Sequence, residues 1–472
     1  MATLTPTLER TGFSRQALEE LSKQKNEPAW MRARRLEAWH LYEETPMPAA
    51  NDELWRRTKL DDLKLDAAMP FAALDGTRNA NNALPEKFQA IADDTNAGGA
   101  LAIHNGLAVH SRLADDLKKR GVIFCDLETA IREHPALVQE YLMTKAVTYS
   151  ENRYKSDKPR TAASGRHEGG GYGETVGDLK FAALHGAFLN GGAFLYVPRN
   201  VVIDLPLETL TYFDAPDLAI FAHTLIVLEE GAAVKVIENY ASAANEAQRF
   251  ANGAIELILK AGANLQYFHL QDYAANVWNF TTQTALMEKD SALTWLVGTL
   301  GSSTTKAFLD CKLQGKGTHA DLLGFFFGDG KQHFDHHTFQ NHISGNSTSD
   351  LLYKGTLKDE AHSVFRGLIR VNPNAQRSDA YQANRNLLLS PHSHADSIPE
   401  LEIEANDVRC THGATVGPID PEQLFYLNAR GIARREAEQL IVEGFFDPLM
   451  QKIPLAAVRD ELMSAIQKKI GV

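Results

Sequence analysis

A cysteine and a histidine, Cys410 and His412, stand two positions apart in the segment 408–431, which reads VRCTHGATVGPIDPEQLFYLNARG. Side chains alternate between the two faces of a strand, so on a strand the thiol and the imidazole would share one face. Together they offer ligands to a soft metal or to sulfur chemistry. The alternative is a purely structural role, in which Cys410 is a small buried apolar residue.

Two other clusters contain histidines. In HFDHH (333–337), His333, Asp335 and His337 would share one strand face, and their side chains are of the types that bind metals. A polar ladder between stacked strands, or an interface, is the interpretation we favour. For HSHAD (392–396) we expect hydrogen bonding within a loop rather than metal binding.

The other two cysteines, Cys125 and Cys311, lie in apolar stretches and are expected to be core residues. Three widely spaced cysteines without a CxxC pair do not form a disulfide framework, which favours a reducing cytoplasm. The sequence contains no Gly-x-Ser-x-Gly elbow, no HExxH helix and no Walker lysine. The run GGGYGETVG lacks the ending of a phosphate loop. We therefore do not predict a self-contained enzyme.

The composition narrows the possible partners. The chain has 472 residues, enough for two or three domains, with 44% hydrophobic and 23% charged residues. Its net charge of −12 argues against nucleic acid as the main partner. The N-terminus lacks the apolar core of a signal peptide. The longest apolar run, 218–228, is far too short for a bilayer, so we predict no membrane contact.

Four regions follow along the chain. Residues 1–148 are predicted to form a mainly helical domain, with a short strand pair or turn near 100–113. Residues 149–177 are polar and Gly-rich, which is typical of a flexible loop. Residues 178–417 alternate short apolar runs with Gly, Asn and Asp and are predicted to be strands. Residues 418–472 are predicted to be helical again.

The strand region has a weak repeat. Its punctuating residues are spaced 31, 28, 27 and 28 positions apart: Gly231, Gly262, Asp290, Gly317 and Gly345. A period near 30 residues made of strands and turns is typical of a solenoid in which each coil stacks on the last. A β-sandwich is the competing fold, although its strands usually lack so regular a long period.

The tail carries amphipathic helices. Leu455, Val458, Leu462 and Ile466 recur at spacings of three and four residues, which puts them on one helix face. Fifty residues of helix cannot bury such a face alone. The tail must therefore pack on the end of the solenoid, on a partner, or on both.

Several segments together resemble the SufB/SufD family of iron–sulfur cluster assembly proteins. They are CTHGATVGPIDPEQLFYLNARGI, GKQHFDHHTFQNH, IVEGFF, AFLNGGAFLYVPRNVVID, DLLYKGTLKDEAHSVFRGLI and QRSDAYQANRNLLLS. These segments span most of residues 180–450. The resemblance implies a mainly β fold, with a right-handed parallel β-helix core between helical N- and C-terminal domains.

Within that family the sequence resembles the SufD members. SufB scaffolds are expected to carry a cysteine directly after Leu-Phe-Tyr, where this chain has Leu427. The resemblance implies a heterodimer with a SufB scaffold and a SufC ATPase docked through the C-terminal helices. It implies a transient iron–sulfur cluster at the SufB interface and no tightly bound cofactor. His412 would be the metal ligand there, and a thiolate at Cys410 could assist it.

The sequence therefore predicts a non-enzymatic, cytoplasmic assembly factor. One cysteine and one histidine cannot complete the coordination shell of a cluster, so the remaining ligands must come from another chain. Two alternatives stay open. One is a SufB-like scaffold acting as a homodimer, and the other is a β-helix enzyme acting on polysaccharide.

Overall fold

The computed structural model describes residues 12–70, 88–89, 94, 96–149 and 177–471. The loop predicted at 149–177 falls almost wholly outside these residues. The described helices are α1 (Arg15–Gln24), α2 (Ala29–Glu44), α3 (Asp115–Lys119), α4 (Leu127–Glu133), α5 (Pro135–Tyr141), α6 (Leu179–Phe188), α7 (Pro421–Asn428), α8 (Arg434–Met450) and α9 (Ala456–Ile470), with a 3₁₀ turn at Leu65–Ala67.

Strands fill the region between the helices. They are β1 (Gly99–His104), β2 (Leu107–Leu113), β3 (Ile123–Asp126), β4 (Ala193–Val197), β5 (Leu207–Phe213), β6 (Ala219–Ile220), β7 (His223–Leu228), β8 (Ala233–Ser242), β9 (Arg249–Leu259), β10 (Asn264–Asp272), β11 (Val277–Met287), β12 (Ala292–Thr299), β13 (Thr304–Leu313), β14 (His319–Gly328), β15 (His333–His342), β16 (Thr348–Leu357), β17 (His362–Val371), β18 (Asp379–Leu388), β19 (His394–Ile403) and β20 (Arg409–Pro418).

The strands form a parallel β-solenoid with two sheets. Sheet I has the order β2-β1-β5-β8-β10-β12-β14-β16-β18-β20, and sheet II has the order β3-β4-β7-β9-β11-β13-β15-β17-β19. From β8 onward each strand pairs in parallel with the strand two further along the chain. This arrangement confirms the predicted β-helix and excludes the β-sandwich.

The repeat read from the sequence marks the turns between coils. Strands β8 to β20 of sheet I begin at intervals of 27 to 31 residues. Gly231, Gly262, Asp290 and Gly317 have positive φ angles and each stands two residues before a strand of this sheet. The fifth predicted position is one residue off, because Asn346 rather than Gly345 adopts the left-handed conformation. A left-handed residue is required where the chain turns sharply into each strand.

The solenoid interior is a continuous apolar core. Inward side chains from both sheets form one cluster that includes Leu265, Tyr267, Trp295 and Tyr353, all almost fully buried. Alternation along each strand sends the other side chains outward. Helices pack on part of the outward face of each sheet.

The N-terminal region contains more strand than predicted. Its possible strand pair is real: β1 and β2 form an antiparallel hairpin, and β1 then pairs in parallel with β5 of sheet I. Strand β3 likewise pairs with β4 of sheet II. Helices α1, α2 and α6 pack on the outer face of sheet II. Part of the region predicted as a helical domain therefore extends the two solenoid sheets.

The C-terminal helices pack on the outer face of sheet I. Val442, Phe446 and Leu462 of α8 and α9 are fully buried, in one cluster with outward residues of sheet I such as Phe268 and Phe325. The predicted amphipathic face is thus covered by the chain's own solenoid. Among the described helices, none combines the length and the apolar character needed to cross a membrane.

We predict that Phe446→Ala will loosen the tail from the solenoid. The Phe446 ring is fully buried and its centroid lies 4.6 Å from that of Phe325. Removing such a ring leaves a cavity that costs about 3–5 kcal/mol of unfolding free energy. Urea unfolding measures the loss, and limited proteolysis reports whether the tail detaches.

Leu440→Ala is the matched control, because Leu440 lies on the same helix with 45% of its surface exposed. This change should shift the unfolding free energy by less than about 0.5 kcal/mol. Equal losses for the two variants would contradict the packing described for α8.

Candidate functional site

The last coil of the solenoid consists of β19 and β20. Strand β19 ends sheet II and β20 ends sheet I, and in the part of the chain that the structure describes each pairs with only one neighbouring strand. Both strands therefore leave one row of backbone N–H and C=O groups unpaired. Such an edge is a template for pairing with another chain.

Cys410 lies near the start of β20 and faces the interior. It is half-buried and packs against the small core cluster that includes Ile369 and Ala380. Burial, with a smaller contribution from the charge of Asp379, raises the pKa of the Cys410 thiol. At neutral pH the sulfur is therefore a protonated thiol rather than a thiolate.

His412 follows two residues later and is exposed. Strand alternation places it on the same face as Cys410, as the spacing predicted. The residue paired with it on β18 is Gln382, which is buried. The Gln382 amide donates to the Gly367 carbonyl oxygen at 2.9 Å, and its own oxygen Oε1 has no partner among the described residues. His412 thus stands at the open end of the core, where a further coil would sit.

Exposed apolar residues share the inward faces of the last coil with His412. Leu401 and Ile403 on β19 and Val416 on β20 are each about 40% exposed. They lie on the inward faces of these strands, because Ala395 of β19 and Cys410 of β20 share that alternation and contact the core. The end of the solenoid therefore carries an apolar surface with one imidazole; we call Leu401, Ile403, His412 and Val416 the open end. Phe425 and Tyr426 lie beyond it on the following helix and are more exposed still, at 73% and 56%.

The HFDHH cluster has a different role from the metal binding considered for it. The Asp335 carboxylate accepts hydrogen bonds from Lys306 Nζ and from Thr58 Oγ1, each at 2.5 Å. Burial alone would raise the pKa of Asp335, but Lys306 and His337 hold it well below its usual value. Lys306 also donates to the carbonyl oxygen of Leu54. The buried ion pair therefore fastens residues 53–58, which we call the anchor segment, to sheet II.

The anchor segment makes further contacts with sheet II. The Trp55 indole lies over the Lys306 ammonium at 5.1 Å, and Glu53 pairs with Arg366 at 3.1 Å. Lys306 and Thr58 could not be recognised from the sequence, because these partners stand about 250 residues apart and neither belongs to a recognisable motif. The polar ladder favoured for this cluster is present, but the anchor segment covers it.

His394 and Asp396 of HSHAD do not lie in a loop, as we had expected, but at the start of β19. Register places His394 beside His362 of β17. Asp396 Oδ2 lies 3.2 Å from His362 Nε2, and Asp396 Oδ1 lies 3.3 Å from His394 Nε2. The two histidines and the carboxylate face outward from sheet II, away from the open end.

The remaining cysteines are structural. Cys311 is fully buried in the solenoid core, as predicted, and burial raises its pKa strongly. Cys125 is half-buried on β3 against a neighbouring apolar cluster, and burial raises its pKa to about 12. Neither thiol is ionised at neutral pH.

Comparison with known proteins identifies the family. Residues 211–445 match the family model described as SUF system FeS cluster assembly, SufBD core domain. Over 458 residues the chain is 31% identical to the iron-sulfur cluster assembly protein SufD of Bacillus subtilis, covering 96% of this chain and 97% of that protein. The chain belongs to the SufB/SufD family. An iron-sulfur cluster assembly SufBD family protein of Staphylococcus haemolyticus is 28% identical over 453 residues, covering 94% of this chain and 90% of its relative.

Within the SufB/SufD family the chain is of the SufD type. Its similarity to the Bacillus subtilis SufD extends over nearly the whole of both chains. The residue after Leu-Phe-Tyr is Leu427, a half-buried side chain of α7, so no thiol is available at that position. The chain is thus a component of iron–sulfur cluster assembly, and membership of this family argues against the polysaccharide-acting enzyme.

Because of the buried histidines of β15, we predict that the folded chain becomes less stable in mild acid. Burial lowers the pKa of His336 and of His337 from 6.5 to about 4. Between pH 6.5 and pH 4 the unfolded chain therefore binds protons that the folded chain does not, so stability decreases as the pH falls. Each histidine should cost on the order of 1 kcal/mol at pH 5.5. Urea midpoints at pH 7.5 and 5.5 measure this loss.

The matched variant is His336→Gln, which removes one of these titrating groups and keeps an amide that can bond Thr299, the present partner of His336 Nε2. The urea midpoint of this variant should fall less between pH 7.5 and pH 5.5 than the midpoint of the wild type. The Lys306–Asp335 pair does not contribute in this pH window, because the carboxyl titrates well below pH 3.8. A wild-type urea midpoint that stays constant from pH 7.5 to 5.5 would contradict the conclusion that these buried imidazoles are neutral in the folded chain.

Proposed function

We propose that this chain is the SufD-type subunit of a cluster assembly complex, with a SufB-type scaffold chain on its open end and a SufC-type ATPase on its C-terminal helices. A nascent iron–sulfur cluster would form between this chain and the scaffold. The observation that carries the proposal is that unpaired strand edges, exposed apolar side chains and His412 coincide at one end of the solenoid. Iron and sulfide are cargo in this role rather than resident cofactors.

The open end supports pairing with a second solenoid. A partner strand laid along β19 or β20 would satisfy their free backbone groups, and its apolar side chains would cover Leu401, Ile403 and Val416. Each of these residues already faces inward, so a docked solenoid would simply continue the core. A scaffold of the same family would present the matching end.

His412 is the residue we assign as the iron ligand. It is exposed at the open end, and a neutral imidazole can donate a lone pair to iron. The described residues of this chain place one other soft donor on the same face, Cys410. Two donors do not complete an iron–sulfur site, so the scaffold chain must supply the rest.

We assign Cys410 an assisting role, because its thiol is protonated. Its half-buried position against Ala380 and Ile369 disfavours the thiolate. A cation arriving next to the sulfur would lower that pKa and release the proton. In this proposal Cys410 therefore assists only after iron is bound at His412.

The ATPase contact must use a surface other than the amphipathic face considered from the sequence, because that face packs on sheet I. The exposed side of α7 and α8 remains, with Phe425, Tyr426 and Leu440 on it. The Arg430 guanidinium lies 3.4 Å from the Tyr426 ring centroid. We assign this surface to the SufC-type partner.

The nucleotide chemistry belongs to that ATPase, so the chain itself would turn over no substrate. We place the complex in the cytoplasm, where the three free thiols would stay reduced. A homodimer of this chain remains the alternative, and it would use the same open end.

We predict that His412→Ala will give an intact complex that has lost most of its iron and acid-labile sulfide. The side chain is exposed, so its removal should not disturb folding. The complex would be co-expressed and purified without air. Subunit stoichiometry and iron and sulfide content are the measurements.

Thr411→Ala is the control, because Thr411 is also exposed on β20 but faces the other way. That complex should keep its cluster. An undiminished cluster in His412→Ala would refute the role as ligand and leave this chain as a binding partner for the scaffold.

Two charge insertions should separate the two docking surfaces. Ile403→Asp places a carboxylate inside the scaffold contact and should weaken scaffold binding at least tenfold, about 1.4 kcal/mol. Phe425→Asp should weaken the ATPase contact by a similar factor and leave the scaffold bound. Pull-down with purified partners measures both, and each variant is the control for the other.

Loss of both partners in both variants would contradict two separate surfaces. Sedimentation of the isolated chain adds a further outcome. A dimer of the chain with itself that is lost in Ile403→Asp and persists when the scaffold is added would favour the homodimeric alternative.

A further inference from the structure

Three histidines form a column on the outer face of sheet II. His333, His362 and His394 are the first residues of β15, β17 and β19, and in-register parallel pairing places each beside the next. The ring centroids are 4.9 Å and 5.2 Å apart. The column runs from the buried anchor segment to the exposed last strand.

The buried end of this column fixes where its hydrogens lie. The single hydroxyl hydrogen of Thr58 goes to the ionised Asp335 carboxylate, so toward His333 the Thr58 oxygen can only accept. The His333 nitrogen Nε2, at 2.9 Å, is therefore the donor. The opposite ring nitrogen of His333, Nδ1, faces His362.

The next ring is held by the first. His362 Nδ1 lies 3.2 Å from His333 Nδ1, so the two rings are hydrogen-bonded and the orientation of His362 is fixed. The other ring nitrogen of His362, Nε2, lies 3.2 Å from the Asp396 carboxylate. Nε2 and a carboxylate oxygen thus point at the same place, as two ligands of one cation do.

The third donor is His394. Its Nε2 lies 3.3 Å from the other oxygen of Asp396, and the donor atoms of His362, His394 and Asp396 all lie within 4.8 Å of one another. The His394 side chain is 66% exposed, so an ion can reach the group from solution. Arg57 Nε lies 3.7 Å from Asp396 Oδ2 and balances part of its charge.

We propose that His362 Nε2, His394 Nε2 and the Asp396 carboxylate form a binding site for a divalent first-row transition metal. Two imidazoles and one carboxylate with open positions are the ligand set of non-haem ferrous sites, and magnesium and calcium prefer all-oxygen sites. His333 orients His362 from behind, as a partner of a metal ligand does. Ferrous iron is the ion we assign, and that choice alone rests on the proposed function.

This site is separate from the open end. His394 and Asp396 face outward on β19, whereas Cys410 and His412 lie on the inward face of β20. The two sites are close along the solenoid, since His394, Asp396 and His412 belong to the last coil and His362 to the coil before it. Iron held by His362, His394 and Asp396 would be bound by this chain alone, without a scaffold.

The test is metal titration of the untagged, metal-free, full-length chain by calorimetry, with Zn²⁺ in air and Fe²⁺ without air. We expect one equivalent to bind, and His394→Ala and Asp396→Asn each to weaken its binding at least about tenfold. Co²⁺ supplies a second readout, because its visible absorption should appear with one equivalent and be lost in both variants.

His319→Ala is the matched control. His319 and Asp321 form another exposed His-x-Asp pair, 3.2 Å apart on β14, with Ala292 and Thr348 rather than histidines beside His319. This variant should bind metal like the wild type. The titration uses this chain without a scaffold, so its result is independent of whether the cluster proposal holds.

Three results would overturn the site. They are the absence of saturable one-equivalent binding, equal affinity in wild type, His394→Ala and Asp396→Asn, and Mg²⁺ binding as tight as Zn²⁺ binding. If the metal binds as expected but the complex carries no cluster, the site stands and the proposed function fails.

Discussion

The whole molecule depends on one constraint, which is that each strand of the solenoid is paired in register with the strand two further along the chain. The backbone groups and the side-chain ladders of every coil are satisfied by the coils above and below it. A stack of this kind has to end somewhere, and its last coil necessarily lacks a neighbour. In the part of the chain that the structure describes, β19 and β20 form that last coil, and helices pack on the outer faces of the two sheets. The open end around His412 exists because β19 and β20 have no further coil beside them in that part of the chain.

Much of this architecture could be predicted from local sequence. The left-handed turn before each strand needs glycine or a short polar residue, so Gly231, Gly262 and Asp290 mark the coils in the sequence itself. The one-residue error at Gly345 arose because Asn346 meets the same conformational demand. Cys410 and His412 were found because strand alternation is a local rule. The half-buried position of Cys410 could not be read the same way, since it depends on how far the core extends beneath the last strand.

What the sequence could not reveal are the contacts made across long separations. The amphipathic tail had two possible partners, and only the packing of Phe446 on Phe325 shows that it covers the chain's own sheet. HFDHH had the composition of a metal site, and the decisive partner, Lys306, carries no motif. The hairpin at the N-terminus joins sheet I because its inward residues continue the same core. In each case the local sequence pattern predicted the helix, strand or cluster, and contacts with distant parts of the chain determined its role.

The anchor segment has a consequence for synthesis of the protein. Leu54 and Thr58 leave the ribosome early, but the Lys306 and Asp335 groups that hold them are made about 250 residues later, and Arg366 follows still later. At ordinary translation rates this is a delay of roughly 10–60 seconds. During that time Trp55 has no sheet to lie on, and the nascent N-terminus must wait in contact with solvent or a chaperone. Closure of the anchor over sheet II is therefore a late event, which can occur only once most of the solenoid has been translated.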